Sequence, residues 1–176
     1  MSRHHLHALA VPAALAVALL AACSQPVAPS QATRPTVSDD QMLAAIHAAG
    51  EKEKSVIDVN PLRDPGVAAL QDSADGDMRT GKYQDAAGKL DQALKISPDS
   101  PDLLQDRAEL AIRLKDYAGA EKLAQRSWDL GPKLGPLCAR NWQTIVELRE
   151  HAGDESGAAN ASKSVAQCHV EGMQRY

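Results

Sequence analysis

One spacing governs what this sequence can become: Tyr83, Ala86 and Pro98 return as Tyr117, Ala120 and Pro132, each 34 residues further along. A fixed period of that size signals stacked helical hairpins, because a single hairpin cannot cover its own apolar stripe and must lean on its neighbours. A third unit follows at a displacement of 38, reading Gly153-Asp154-Glu155-Ser156-Gly157-Ala158 and then Ser162 and Val165, with Glu155 in the place of the tyrosine. Composition points the same way. Hydrophobic residues make up 44% of the chain, but there is no Phe and only two Trp and three Tyr, so the apolar content is mostly Ala and Leu. Such residues suit closely approaching helices better than sheets, and the fold class read here is all-α.

The stretch Gly81-Lys82-Tyr83-Gln84-Asp85-Ala86, followed by Leu90, Ala93-Leu94 and Pro98, resembles the second helix of a tetratricopeptide repeat. The next unit repeats it as Lys115-Asp116-Tyr117-Ala118-Gly119-Ala120, Ala124, Ser127-Trp128 and Pro132. The chemistry suits the pattern: small Ala lets two helices approach, the Tyr ring wedges the turn, and Pro stops the helix. The first helices match less well, since Leu70, Ser73-Ala74 and Asp77 stand where the family carries Trp, Leu-Gly and Tyr, and Gly76 weakens that helix. The resemblance spans residues 67–170 and implies a stack of about three hairpins; an ordinary antiparallel helical bundle is the alternative.

The N-terminal residues set the compartment. Residues 1–22 open with Arg3, His4, His5 and His7 and continue as an apolar run that is short for a membrane span but suits a secretory leader. The run ends in Leu20-Ala21-Ala22-Cys23, which resembles the lipobox of bacterial lipoproteins. That resemblance implies cleavage before Cys23, a diacylglycerol with palmitate-like chains on its thiol, and an acylated amine; Ser24 rather than Asp implies sorting to the outer membrane, facing the periplasm. A buried apolar helix ending in an incidental Cys is the alternative. Several acyl chains anchor a protein firmly, at about 0.8 kcal/mol per buried methylene. Ser24 to Val37 is rich in Pro, Ser, Gln and Ala and reads as an extended tether. Ser38, Asp39 and Asp40 then open a helix carrying Met42, Leu43 and Ile46, which frays near Gly50 or Lys54. The organisation is therefore a leader over 1–22, a lipidated linker over 23–37, a helix with its connector over 38–66, and the repeat domain over 67–176.

Apart from Cys23, two cysteines remain, and an even pair in an oxidising compartment invites a bond. Cys138 and Cys168 lie symmetrically about Gly153, the turn of the third unit. Residues so placed in an antiparallel hairpin face each other, which predicts a Cys138–Cys168 disulfide. Two buried free thiols, or a metal site shared with His169, are the alternatives; no fourth metal ligand is evident.

No catalytic residue, metal site or cofactor is called for. The remaining histidines, His47, His151 and His169, fall outside any metalloprotease spacing, and no phosphate loop or nucleophile elbow is present. The formal net charge of -4 gives no basic surplus for nucleic acid. One pattern on the first helices is suggestive: Gln71, Asp75 and Arg79 reappear as Gln105, Glu109 and Arg113, then as Gln143, Glu147 and His151, each triplet forming a stripe along one helical face. By the family resemblance, first helices line a concave groove, so these stripes would stand as polar rows able to hold a peptide, with Gln serving main-chain hydrogen bonds and Arg a carboxylate. A solvated face with local acid-to-Arg pairs is the alternative.

These readings converge on a membrane-anchored envelope lipoprotein, not an enzyme, whose repeats bind a segment of another envelope protein as a scaffold or adaptor in envelope assembly or secretion. No small-molecule substrate is expected. The alternatives are a self-associating structural protein of the envelope and an accessory to a cell-wall enzyme.

Overall fold

The computed structural model describes residues 37–53 and 63–169. The leader, Cys23, the linker up to residue 36 and most of the connector, residues 54–62, lie outside the described residues. Within them the chain forms α1 (Asp39–Lys52), α2 (Pro65–Arg79), α3 (Tyr83–Ile96), α4 (Pro101–Arg113), α5 (Tyr117–Leu130), α6 (Pro136–His151) and α7 (Glu155–Gln167). The described residues contain no helix long and apolar enough to cross a membrane.

Helix starts follow local chemistry. Ser38 accepts from the Gln41 amide at 3.3 Å while the Gln41 side chain accepts from the Ser38 amide at 2.9 Å, a reciprocal cap that fixes the first turn of α1. α2 begins at Pro65, two residues before the boundary read from the repeat pattern, because Asp64 caps the amides of Gly66 and Val67 and Pro65 needs no amide at the first helical position. Pro101 and Pro136 likewise stand at the starts of α4 and α6, there without a side-chain cap. In α5 and α7 the caps are Asp116 and Asp154, which accept from the amides of Gly119 and Gly157. A Cβ at either glycine would strike the capping carboxylate and displace it, so Asp-x-x-Gly at these starts keeps the cap in place.

The three hairpin turns share one hydrogen-bond scheme. Lys82, Asp116 and Asp154 each donate a backbone N–H to a carbonyl five residues earlier, on Asp77, Ala111 and Arg149, all at 2.9 Å. The residue just before each donor adopts a left-handed backbone: Gly81 at φ 75°, Lys115 at φ 63° and Gly153 at φ 77°. This is the glycine-terminated helix end expected where a carbonyl-capped helix reverses. Lys115 holds that conformation without being glycine.

The hairpins α2/α3, α4/α5 and α6/α7 stack in chain order. Between the first two, Val67, Ala74, Ala86, Leu90, Leu103 and Leu110 form one cluster; between the second and third, Ala108, Ala124, Ile145, Val146 and Ala161 form another. The repeated alanines Ala86, Ala120 and Ala158 are all buried, which is why small residues recur at that register. α1 belongs to none of the hairpins. It packs chiefly on α6 and also touches α4, with Met42 and Ile46 fully buried against Ala111, Ile112 and Leu148.

Cys138 and Cys168 are joined in a disulfide, their Cα atoms 5.6 Å apart, and both are buried beside Ala49 and Ala139 with Trp128 and Trp142 packed around them. The bond clips the open ends of the α6/α7 hairpin. Replacing both cysteines by alanine is expected to lower the unfolding free energy by about 3 kcal/mol, from loop closure over a sequence separation of 30 residues. Urea unfolding of the two forms checks this, and equal midpoints would show that the bond is dispensable.

Candidate functional site

The first helices α2, α4 and α6 stand side by side, and the face they share carries the polar stripes. Along it the side chains form one connected network. Arg63 Nη1 donates to Gln71 Oε1 at 2.9 Å, and Gln71 Nε2 donates to Asp106 Oδ2 at 3.1 Å, linking α2 to α4. Arg140 of α6 reaches across to α4, with Nη2 donating to Asp106 Oδ1 at 3.1 Å and to Glu109 Oε1 at 2.7 Å, and Nε to Glu109 Oε1 at 3.0 Å. Gln105, fully buried, donates through Nε2 to Glu109 Oε1 and Thr144 Oγ1, both at 2.9 Å. Its own Oε1 is buried without a partner among the described residues.

α1 closes this network from above. His47 Nε2 donates to Glu109 Oε2 at 2.7 Å. At the start of α1, Asp40 pairs with Arg113 and Asp39 with Lys115, and the Tyr117 hydroxyl donates to Asp39 Oδ1 at 3.1 Å. Near its end, Gly50 lies so close to α6 that an added Cβ would sit 2.8 Å from Arg140 Cγ. α1 therefore runs antiparallel to α6, lying along the first-helix face over the third unit and the adjoining edge of the second.

What α1 leaves uncovered is a groove of about 580 Å³, bounded by α1 on one side and α2 on the other and floored by α4. Asp75, Arg79, Glu109 and Arg113 line it, so four of the nine stripe residues do stand together at one concave site. The rest fall elsewhere. Gln71 and Gln105 are buried in the network. Gln143 donates to Glu147 at 2.8 Å within α6, and His151 stacks on Tyr117 with ring centroids 4.2 Å apart. The groove also includes residues the stripe did not single out: Asp40 and His47 from α1, Asp106, Arg140, and Tyr83, over whose ring the Arg113 guanidinium lies at 5.7 Å. Arg140 was within reach of the pattern, since it precedes Gln143 by three residues and extends that stripe by a turn.

The electrostatics follow from this crowding. Burial raises the Asp106 carboxyl above its ordinary value, although Arg140 and the hydrogen bonds from Arg140 and Gln71 oppose it. Glu109 meets the same burial penalty, but the His47 hydrogen bond, the Arg140 charge and Gln105 outweigh it and hold the carboxyl below its ordinary value. Within the groove, burial also raises Asp75, against the pull of Arg79. His47 is raised above 6.5, first by its hydrogen bond to Glu109, with desolvation opposing. The described residues contain no group of three or more His, Cys, Asp or Glu side chains placed to hold a metal ion. The groove can therefore grip by charge and hydrogen bonding: carboxylates on the α1 and α2 walls and the α4 floor, the guanidinium groups of Arg79, Arg113 and Arg140 beside them, and aliphatic surface from Leu43 and Met78.

Comparison with known proteins places this geometry. A tetratricopeptide-repeat family model matches residues 78–138. Among solved structures, the globular C-terminal domain of LpoP from P. aeruginosa is 30% identical with a TM-score of 0.56, the match covering 60% of this chain and 99% of that domain. No curated protein matches the chain.

Because the folded pKa of His47 is raised, its contribution to holding α1 is fully present below pH 6.5 and fades as pH rises through the folded value. The stability difference between the native chain and His47→Gln is thus expected to shrink from pH 6 to pH 9. It should stay within about 1 kcal/mol, because the imidazole is more than half exposed. Thermal unfolding across that range checks it, and a difference that grows with pH contradicts the assignment.

Proposed function

The chain belongs to the tetratricopeptide-repeat family, and from that premise we propose that it is a membrane-anchored lipoprotein of the bacterial envelope whose repeats serve as a protein-binding scaffold or adaptor. The groove between α1 and α2 is the observation that carries the reading: it is concave, charged on both walls and lined from all three repeats, which suits a polypeptide segment carrying charges of both signs. Its acids and bases are committed to one another, Glu109 to His47 and Arg140, Asp106 to Arg140 and Gln71, which suits recognition better than proton transfer. We accordingly place the protein outside the enzymes. Fold alone does not dictate this role; the argument is from the site.

The envelope assignment rests on the lipobox-like Leu20-Ala21-Ala22-Cys23 and is supported by the likeness to the LpoP domain, which is likewise the globular, C-terminal part of its protein. On this reading Cys23 carries the lipid, the outer membrane holds it, and the repeats hang in the periplasm where a second envelope protein offers an acidic or mixed-charge segment to Arg79 and Arg113.

Cross-linking in intact cells tests the scaffold. Arg79→Glu, an exposed change at the groove wall, is expected to reduce partner capture about tenfold, while the same charge reversal at Lys163 on α7 leaves it unchanged. Equal capture by both variants would place binding outside the groove.

A further inference from the structure

α1 is covalently next to α2 but packs on α6, more than eighty residues away in sequence. Two of the core clusters, around Leu90 and Leu103 and around Ile145 and Ala161, are made by α2 to α7 among themselves, while the other two take in Met42, Leu43, Ile46 and Ala49 of α1. The disulfide that clips the last hairpin also lies wholly within α6 and the end of α7. What α1 does is occupy the face on which the polar stripes stand.

It occupies that face in the manner of a bound helix. Met42, Leu43, Ile46, Ala49 and Gly50 form its buried stripe, at the spacing of anchor residues in a helix laid into a groove. The two carboxylates of its first turn meet Arg113 and Lys115, and His47, one turn beyond Leu43, meets Glu109. Gly50 lets the helix close on Arg140. Two stripe charges, Arg113 and Glu109, are thus each met by a side chain of α1, with Met42 and Ile46 at zero exposure on the same helix.

We infer that α1 is an internal stand-in for a ligand. It reversibly covers part of the first-helix face, and that face takes in its place an amphipathic helix of a partner protein with the same chemistry: two carboxylates in the first turn, large aliphatic residues one and two turns on, and a glycine-sized residue where the helix crosses Arg140. This rests on the scaffold reading and adds its regulation: beside the groove, the lipid-proximal helix masks the part of the first-helix face on α4 and α6, and a partner helix that displaces it takes over both that face and the α1 wall of the groove.

The test uses a fluorescent peptide of residues 38–53 and the full chain. In one form of the chain α1 is evicted by Met42→Asp and Ile46→Asp; the other is native. Anisotropy is expected to show the peptide binding the evicted chain about tenfold or more tighter than the native chain, whose own α1 competes. The same peptide carrying Met42→Asp and Ile46→Asp should not bind. Equal or absent binding to a folded evicted chain overturns the inference. Should that chain fail to fold, hydrogen exchange on the native chain decides. The α1 amides are expected to exchange about tenfold or more faster than those of α4 and α6, and exchange in step with them overturns it. Peptide binding does not involve the envelope partner, so its failure leaves the scaffold reading intact, and loss of that reading leaves the peptide result intact.

Discussion

The site depends on one guanidinium. Arg140 is the point at which α6, α4 and α1 meet: it donates to both Asp106 and Glu109, and Glu109 in turn receives His47 and Gln105. Burial, and behind it the neighbouring Glu109 charge, resists ionisation of Asp106, whereas Glu109 is held ionised by His47, Arg140 and Gln105. The guanidinium makes the pair tenable, and its fork geometry fixes the register of α6 against α4. Buried ion clusters are seldom a large net source of stability, since desolvation offsets most of the attraction. What this one supplies is position: the groove walls stand where Arg140 sets them.

Around that point the stability is spread thinly. A core built of Ala and Leu with no Phe buries little area per residue, so no single contact dominates. The repeats compensate by regularity, with one turn scheme used three times and aspartate caps on two of the second helices. The open end of the stack receives a covalent clip, backed by Trp128 and Trp142 meeting edge to face at 5.1 Å. The opposite solution appears on the first-helix face, where α1 covers apolar surface that three hairpins alone leave open.

The sequence made much of this readable, and the reasons differ by element. The hairpins were legible because the 34-residue spacing repeats a physical need, small residues at helix crossings and a left-handed residue at each turn. The cysteine pairing was legible from symmetry about Gly153, since an antiparallel hairpin turns distance along the chain into proximity. The stripes showed which faces were polar, and Asp75, Arg79, Glu109 and Arg113 do share the groove. The docking of α1 was not legible. Its buried stripe announces that Met42 and Ile46 are covered without saying by what, because the partner surface on α4 and α6 is assembled from residues about seventy to a hundred positions away. For the same reason the pairing of the exposed His47 with Glu109 was not visible, and Gln105 looked like a groove residue when it lies under the groove floor.

A double-mutant cycle in urea unfolding between Arg140→Met and Glu109→Gln measures whether the guanidinium truly holds the site together. The account predicts a coupling energy above about 1 kcal/mol, because each single change takes from the other side chain its shortest charged contact, although Asp106 remains beside Arg140 and His47 beside Glu109. Additive losses would mean that the two side chains are merely neighbours, and that the walls of the groove are set by something else.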